Sequence, residues 1–283
     1  PILRSPCDTS QLRDASRPVL YASYHLHFAL SERIRRARPA SFVPITRITH
    51  IAVAQVAIIT GAGSGIGRAA AALLSQHGYS LLLAGRQLPP LEETGASLST
   101  PWLAAVTDIA DPDAVHAMVR AAAERFGRVD LLLNNAGSAP LATIDKSTPA
   151  MLDDTYRVNA IGPAVATAAV WPIMVSQKRG CIINISSMAT KDPFPGFFAY
   201  AGAKAACNLM AKSCAKEGRA HGIRAFAIAP GAVETPMLRR NFTERTIPSA
   251  KCLTPEAVAQ VILECALGQR DQDNGNTIFL PSP

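Results

Sequence analysis

From Ile51 onward the chain alternates short, almost wholly apolar runs with Ala-rich stretches of helical period, and few folds admit that alternation. Residues 55–60, 80–84, 102–106, 129–134, 181–186 and 224–229 read as strands, with helices near 65–77, 111–126, 149–177 and 199–220 between them. The runs are apolar throughout rather than on alternate positions, so the strands are expected to be covered on both faces. Strands and helices in turn mean βαβ units around a parallel sheet. No break interrupts residues 51–283, which therefore read as one doubly wound α/β domain. His77-Gly78 closes the first helix with the glycine expected past its last turn.

The first strand runs into Thr60-Gly61-Ala62-Gly63-Ser64-Gly65-Ile66-Gly67 and then an Ala-rich helix. Glycines there allow a tight turn and bring backbone amides to a pyrophosphate at the helix N-terminus. A glycine cluster also serves plain strand–helix packing, and the strict G-x-G-x-x-G spacing counted from Gly61 fails at Ile66. The spacing present is T-G-x-x-x-G-x-G. Three further segments follow: Asn134-Asn135-Ala136-Gly137 after the fourth strand, Ile185-Ser186-Ser187 at the end of the fifth with Tyr200-Ala-Gly-Ala-Lys204 beyond it, and Pro230-Gly231 after the sixth, with Thr235 close behind.

Tyr200 and Lys204 are four residues apart on one helix, which puts them on one face. Reduction of a carbonyl needs a proton donor and a partner for the charge that develops on oxygen. A phenol, which titrates near pH ~10 when free, is brought toward that task by a neighbouring ammonium. Taken singly, such a Tyr–Lys pair is ordinarily a solvated surface pair, and adjacent serines are ordinarily turn residues.

In order and spacing the four motifs resemble the short-chain dehydrogenase/reductase family over about residues 51–283. The resemblance implies a single Rossmann domain and hydride transfer between a nicotinamide cofactor and a small-molecule carbonyl or alcohol substrate. It makes Tyr200 the acid/base, Lys204 its partner and the holder of the nicotinamide ribose, and Ser187 the donor to the substrate oxygen. Asn159 matches an asparagine that supports a water-mediated proton relay to the lysine, although a buried Asn can simply cap backbone groups. Cofactor contacts are implied for Gly61, Ser64, Gly65, Ile66, Gly67, Asn135, Ala136, Gly137, Pro230, Gly231, Val233 and Thr235, with Tyr200 and Lys204. Asp108 matches the residue that bonds the adenine amino group, or it caps a turn.

Ala84-Gly85-Arg86 ends the second strand without an acid, so NADP(H) is expected over NAD(H), with Arg86 on the 2′-phosphate. Ser186, one residue off the serine spacing, is expected to point away by strand alternation. Met188, Phe194, Phe197, Phe198, Met237 and Leu238 suggest an apolar substrate lining. Arg239, Arg240, Arg245 and Lys251 are expected on a mobile lid. Such basic residues would suit an acidic acyl-carrier protein, and 3-oxoacyl carrier-protein reductases belong to the family. A dinucleotide-sensing Rossmann protein without catalysis is the alternative from another class, but it should lack the Ser/Tyr/Lys set. The resemblance also implies a homodimer or homotetramer built on the helices near 149–177 and 199–220. The chain runs through Gly275 to Pro283 without the aspartate and paired glycines that many relatives carry there.

The net charge of +7 is concentrated at one end. Residues 1–50 hold eight Arg, no Lys and three acids, Asp8, Asp14 and Glu32, giving +5, so the body carries only +2 and no nucleic-acid face is expected. That Arg-rich segment reads as a flexible extension or, against its three acids, as an organellar transit segment. No run of about 18 uninterrupted apolar residues occurs, so no membrane span is expected; the nearest candidate, 163–175, is broken by Pro172. Cys7, Cys181, Cys207, Cys214, Cys252 and Cys265 show no C-x-x-C pair and no metal spacing, and they read as reduced thiols of a cytoplasmic protein.

Overall fold

The computed structural model describes residues 54–283, and the extension expected over 1–50 lies outside them. Among the described residues, seven strands form one parallel sheet: β1 (Val56–Thr60), β2 (Ser80–Gly85), β3 (Trp102–Val106), β4 (Leu131–Asn134), β5 (Gly180–Ile185), β6 (Ile223–Pro230) and β7 (Thr277–Leu280). Their order is β3-β2-β1-β4-β5-β6-β7. The chain moves outward one way through β2 and β3, then returns past β1 and builds the other half, so the direction reverses between β1 and β4. A doubly wound sheet opens a crevice at that switch point, beyond the carboxyl ends of its strands.

Burial follows the pleat. Ala57, Ile59, Leu81, Leu83, Leu131, Leu133, Ile183 and Ile228 face one layer, formed by α1 (Gly65–Gln76), α2 (Leu88–Ala96) and α8 (Pro255–Ala266). Ile58, Leu82, Leu132, Ile182 and Ala225 face the other, where α3 (Pro112–Phe126) and α5 (Gly162–Gln177) supply Met118, Val119, Val170 and Met174. Both sets are apolar, so the strands carry no polar alternation, as in other parallel sheets covered on both sides. Each buried Leu or Ile removes apolar surface worth about 1.5–3 kcal/mol from water.

All six expected strands are present, with ends shifted by at most two residues. The expected helices 65–77, 111–126 and 199–220 appear as α1, α3 and α6 (Phe198–Gly218). The stretch 149–177 is continuous but not uniform: α4 (Pro149–Tyr156) and α5 are joined by a π-helical turn, Arg157–Ile161, which contains Asn159. This 29-residue stretch, with mean hydropathy 1.6 in its most apolar part, is long and apolar enough to cross a membrane by length and composition. Here it serves as a layer helix, with Ala166, Val170 and Met174 buried against the sheet side.

The structure adds α2, α7 (Pro236–Asn241), α8 and β7, none of which was expected. Two prolines and Gly95 blur the helical period of α2. For α8 a signal was present: Thr254 caps its first turn by accepting from Ala257 N, and Pro255 follows at the first helical position. The same Thr-Pro start opens α4 at Thr148 and α7 at Thr235.

Candidate active site

A cleft of about 1280 Å³ opens at the switch point. The glycine loop forms one wall. Gly61 and Gly65 have φ of +67° and +51°, a left-handed conformation that side chains other than glycine rarely adopt. At Gly67 an added Cβ would overlap the Gly61 carbonyl, so this glycine brings the helix against the loop and does not itself line the cleft. Gly61, Ser64, Gly65 and Ile66 do line it, at the N-terminus of α1, where free amides and the helix dipole favour an anion. This bare backbone cradle fits a dinucleotide pyrophosphate.

The loop is buckled to α2 by groups the sequence reading missed. Arg68 donates from Nη2 to the Gly63 carbonyl at 2.7 Å and forks onto Glu93 at 2.9 and 3.1 Å. Thr94 Oγ1 donates to the Ala62 carbonyl at 3.1 Å. These partners lie 25 and 32 residues from the loop groups they hold, beyond the reach of any local motif.

Arg86 is exposed and lines the cleft beside Gly85. Asp108 lines it too, and its Oδ1 accepts from Ala110 N at 2.9 Å, so it caps a turn while still facing the cleft. Asn135, Ala136 and Gly137 lie at the end of β4. Asn135 Nδ2 donates to the Thr60 and Gly61 carbonyls at 2.9 and 3.1 Å, tying β4 to β1. Pro230, Gly231, Val233 and Thr235 form the opposite wall. That wall is pinned from far along the chain: Gly231 N donates to the Leu280 carbonyl at 2.8 Å, and Ala232 N to Ser282 Oγ at 2.7 Å.

Ser187, Tyr200 and Lys204 all line this cleft. Tyr200 is 9% exposed and Lys204 3%. Lys204 Nζ donates to the Ile185 carbonyl at 2.8 Å and lies 5.8 Å from the centre of the Tyr200 ring. Ser187 Oγ accepts from Ala189 N at 3.1 Å and keeps its hydroxyl proton for another partner. Ser186, expected to point away, lines the cleft as well, but its Oγ is committed as donor to the Lys204 carbonyl at 3.1 Å.

Asn159 is fully buried and does not line the cleft. Its Nδ2 donates to the Ser138 and Thr155 carbonyls at 2.8 and 2.9 Å, and its Oδ1 accepts from Ser138 N at 3.2 Å. It lies behind Gly137, where a Cβ would come within 2.9 Å of Asn159 Oδ1 and 3.4 Å of Lys204 Nζ.

On the substrate side, Met188, Phe194, Phe197, Met237 and Leu238 line the cleft as expected, joined by Phe242 and Ile247. Phe198 does not: it opens α6 with its ring 53% exposed, outside the lining. Nor is Arg239 a loose basic group on a lid. Its guanidinium forks onto Glu234, with Nε at 2.7 Å from Oε1, and donates to the Ile247 carbonyl at 2.8 Å. The hydrogen bonds from Arg239, and then from Ser249, hold the Glu234 carboxyl down at about 2. Arg240 lines the cleft and is exposed, and Arg245 and Lys251 are exposed.

Comparison with known proteins agrees with this fold. A short chain dehydrogenase family model matches residues 55–246. A 3-oxoacyl-(acyl-carrier-protein) reductase of Thermotoga maritima is 34% identical over 233 residues, covering 79% of this chain and 95% of its own length. An uncharacterized oxidoreductase of Staphylococcus saprophyticus is 32% identical over 235 residues, covering 80% and 95%. Among solved structures, a levodione reductase superposes with a TM-score of 0.76 at 29% identity, covering 80% of this chain and 96% of its own. A 3-ketoacyl-(acyl-carrier-protein) reductase from Brucella melitensis complexed with NADH gives 0.76 at 28%, with coverage of 80% and 96%.

Proposed function

The chain belongs to the short-chain dehydrogenase/reductase family, and on that premise we propose that it is an NADP(H)-dependent reductase whose proton donor to a carbonyl oxygen is Tyr200. Proteins of this family are oxidoreductases that act on carbonyl or alcohol groups with a nicotinamide dinucleotide. The observation that carries the finer reading is the meeting of Tyr200, Lys204 and Ser187 in the same cleft as the glycine loop.

A dinucleotide held here would supply hydride chemistry. The amides of Ser64 to Ile66 would hold its pyrophosphate at the α1 N-terminus. Arg86 would take the 2′-phosphate, where a charge-assisted fork is worth more than a neutral bond. NAD(H) remains a weaker alternative. Ser187 donates a hydrogen bond to the substrate oxygen and keeps its proton, while Tyr200 delivers the one proton that completes the alcohol. Lys204, anchored on the Ile185 carbonyl, holds its ammonium beside the Tyr200 ring, where it would also hold the nicotinamide ribose. Asn159, across Gly137 from Lys204, is assigned to a water-mediated relay that returns to Tyr200, by way of Lys204, the proton it gives up.

A 3-oxoacyl chain on an acyl-carrier protein is the second substrate reading, supported by the 34% identity to the Thermotoga enzyme. We also propose a cytoplasmic location, supported by the free thiols of Cys181, Cys207, Cys214, Cys252 and Cys265. The test of function is a panel of carbonyl compounds followed by nicotinamide absorbance with NADPH and with NADH. Turnover with NADPH preferred is the expected result. Tight dinucleotide binding with no turnover on any carbonyl would favour a sensing protein instead.

A further inference from the structure

Three aromatic rings run outward from the candidate proton donor. The Phe197 ring lies 5.1 Å from that of Tyr200, tilted by 52°. Phe194 stands edge-on to Phe197 at 6.0 Å and 81°, and Phe242 meets Phe197 at 6.2 Å and 82°. Phe194 and Phe242 close the triangle at 6.4 Å. These are the offset and edge-to-face spacings that aromatic pairs prefer. Two of the rings come from the β5–α6 loop and the third from the end of α7, where Asn241 Nδ2 fixes the chain by donating to the Ala139 carbonyl at 2.7 Å. Phe197 is buried, so it serves as the hub. Phe194 remains 60% exposed although it lines a concave cleft.

We propose that this triangle is a binding subsite for an uncharged carbonyl compound carrying a flat ring directly beside the reacting carbonyl; the proposal rests on the reading of Tyr200 as proton donor. A ring laid against the open face of Phe194 removes apolar area on both partners from water. A rigid ring does so without losing the rotamer freedom that a flexible alkyl chain gives up. The charged groups lining this side are Asp154, Asp192 and Arg240, of mixed sign and all exposed, while Arg239 is committed to Glu234. A charged substrate would therefore lose water without gaining a buried partner. Hydride reaches the carbonyl carbon, the proton reaches its oxygen, and the products are the alcohol and the oxidised nicotinamide.

The test compares two diones that differ only by phenyl for methyl, 1-phenylpropane-1,2-dione and butane-2,3-dione, with NADPH as reductant. The phenyl compound is expected to have the higher kcat/KM by about 30-fold, and Phe194→Ala or Phe242→Ala to cut that ratio by about tenfold. A second readout needs no turnover. In Tyr200→Phe saturated with NADPH, the phenyl dione should raise the thermal midpoint and butanedione should not. A ratio near one, or a ratio unmoved by both phenylalanine variants, overturns the subsite. So does a clear preference for an acetoacetyl pantetheine thioester that both variants leave intact. If neither dione is reduced but the thermal shift appears and is lost in Phe194→Ala, the reductase reading fails and the subsite stands. If there is neither turnover nor shift, the subsite fails.

Discussion

At Gly137 a single hydrogen atom stands between Asn159 and Lys204. An alanine there would have to push the ammonium or the amide aside by a few tenths of an ångström. Gly137→Ala is therefore expected to leave the fold intact and lower turnover by about 10²-fold, the cost of a small misplacement of a reacting group. Tyr200→Phe keeps the ring that Phe197 packs against and removes only the hydroxyl. Single-turnover hydride transfer to an active substrate should fall by about 10²–10⁴-fold with NADPH affinity retained, and an unchanged rate would remove Tyr200 as proton donor. Arg86→Ala should weaken NADPH far more than NADH in fluorescence titrations, because only the former carries the 2′-phosphate. Equal losses would leave the cofactor preference to some other residue. The site residues named from sequence spacing are, apart from Gly67 and Asn159, cleft-lining groups, because short motifs at strand ends fix local backbone shape. Arg68, Glu93 and Phe242 escaped notice because they act through tertiary approach alone.

Among the elements, α7 and the segment after it depend on a polar knot rather than an apolar core. Glu234, Arg239 and Ser249 hold one another across fifteen residues, and Glu244 joins through Ser249. The folded Glu234 titrates about 2, below the ordinary glutamate value of about 4.3. Its stabilisation is thus fully present above the ordinary value and is lost as pH falls through about 2. Glu234→Gln is expected to speed amide exchange over residues 236–252 at neutral pH, and the difference from the wild-type chain should shrink in acid. Identical exchange at neutral pH would show that the knot does not hold the segment. The sequence reading placed a mobile basic lid here, because the charges are visible in the sequence while their pairing partners are a matter of folded geometry. Strands were legible for the opposite reason. An apolar run of five or six residues has few alternatives, whereas α2, with Pro89, Pro90 and Gly95, carries little helical signal of its own.

For the whole molecule, the outer surface of α5 and α6 presents a groove of about 620 Å³, lined by Ala164, Trp171, Leu209 and Met210 among others. Leu209 is 68% exposed. A face this apolar is expected to be covered by a second copy of the chain. Light scattering at micromolar concentration should report a dimer or tetramer, and Leu209→Glu should shift it to a smaller species; a wild-type monomer would sink the expectation. The pinning of Gly231 and Ala232 by Leu280 and Ser282 has a consequence of a different kind. One wall of the cleft is braced by a segment made fifty residues later in translation. While the ribosome still holds that segment in its exit tunnel, the sheet through β6 can already be in place but the wall beside Gly231 has no support. Cofactor capture is therefore expected to wait until residues 277–282 are made and docked, and a chain nicked before them should compete poorly for the cellular nicotinamide pool.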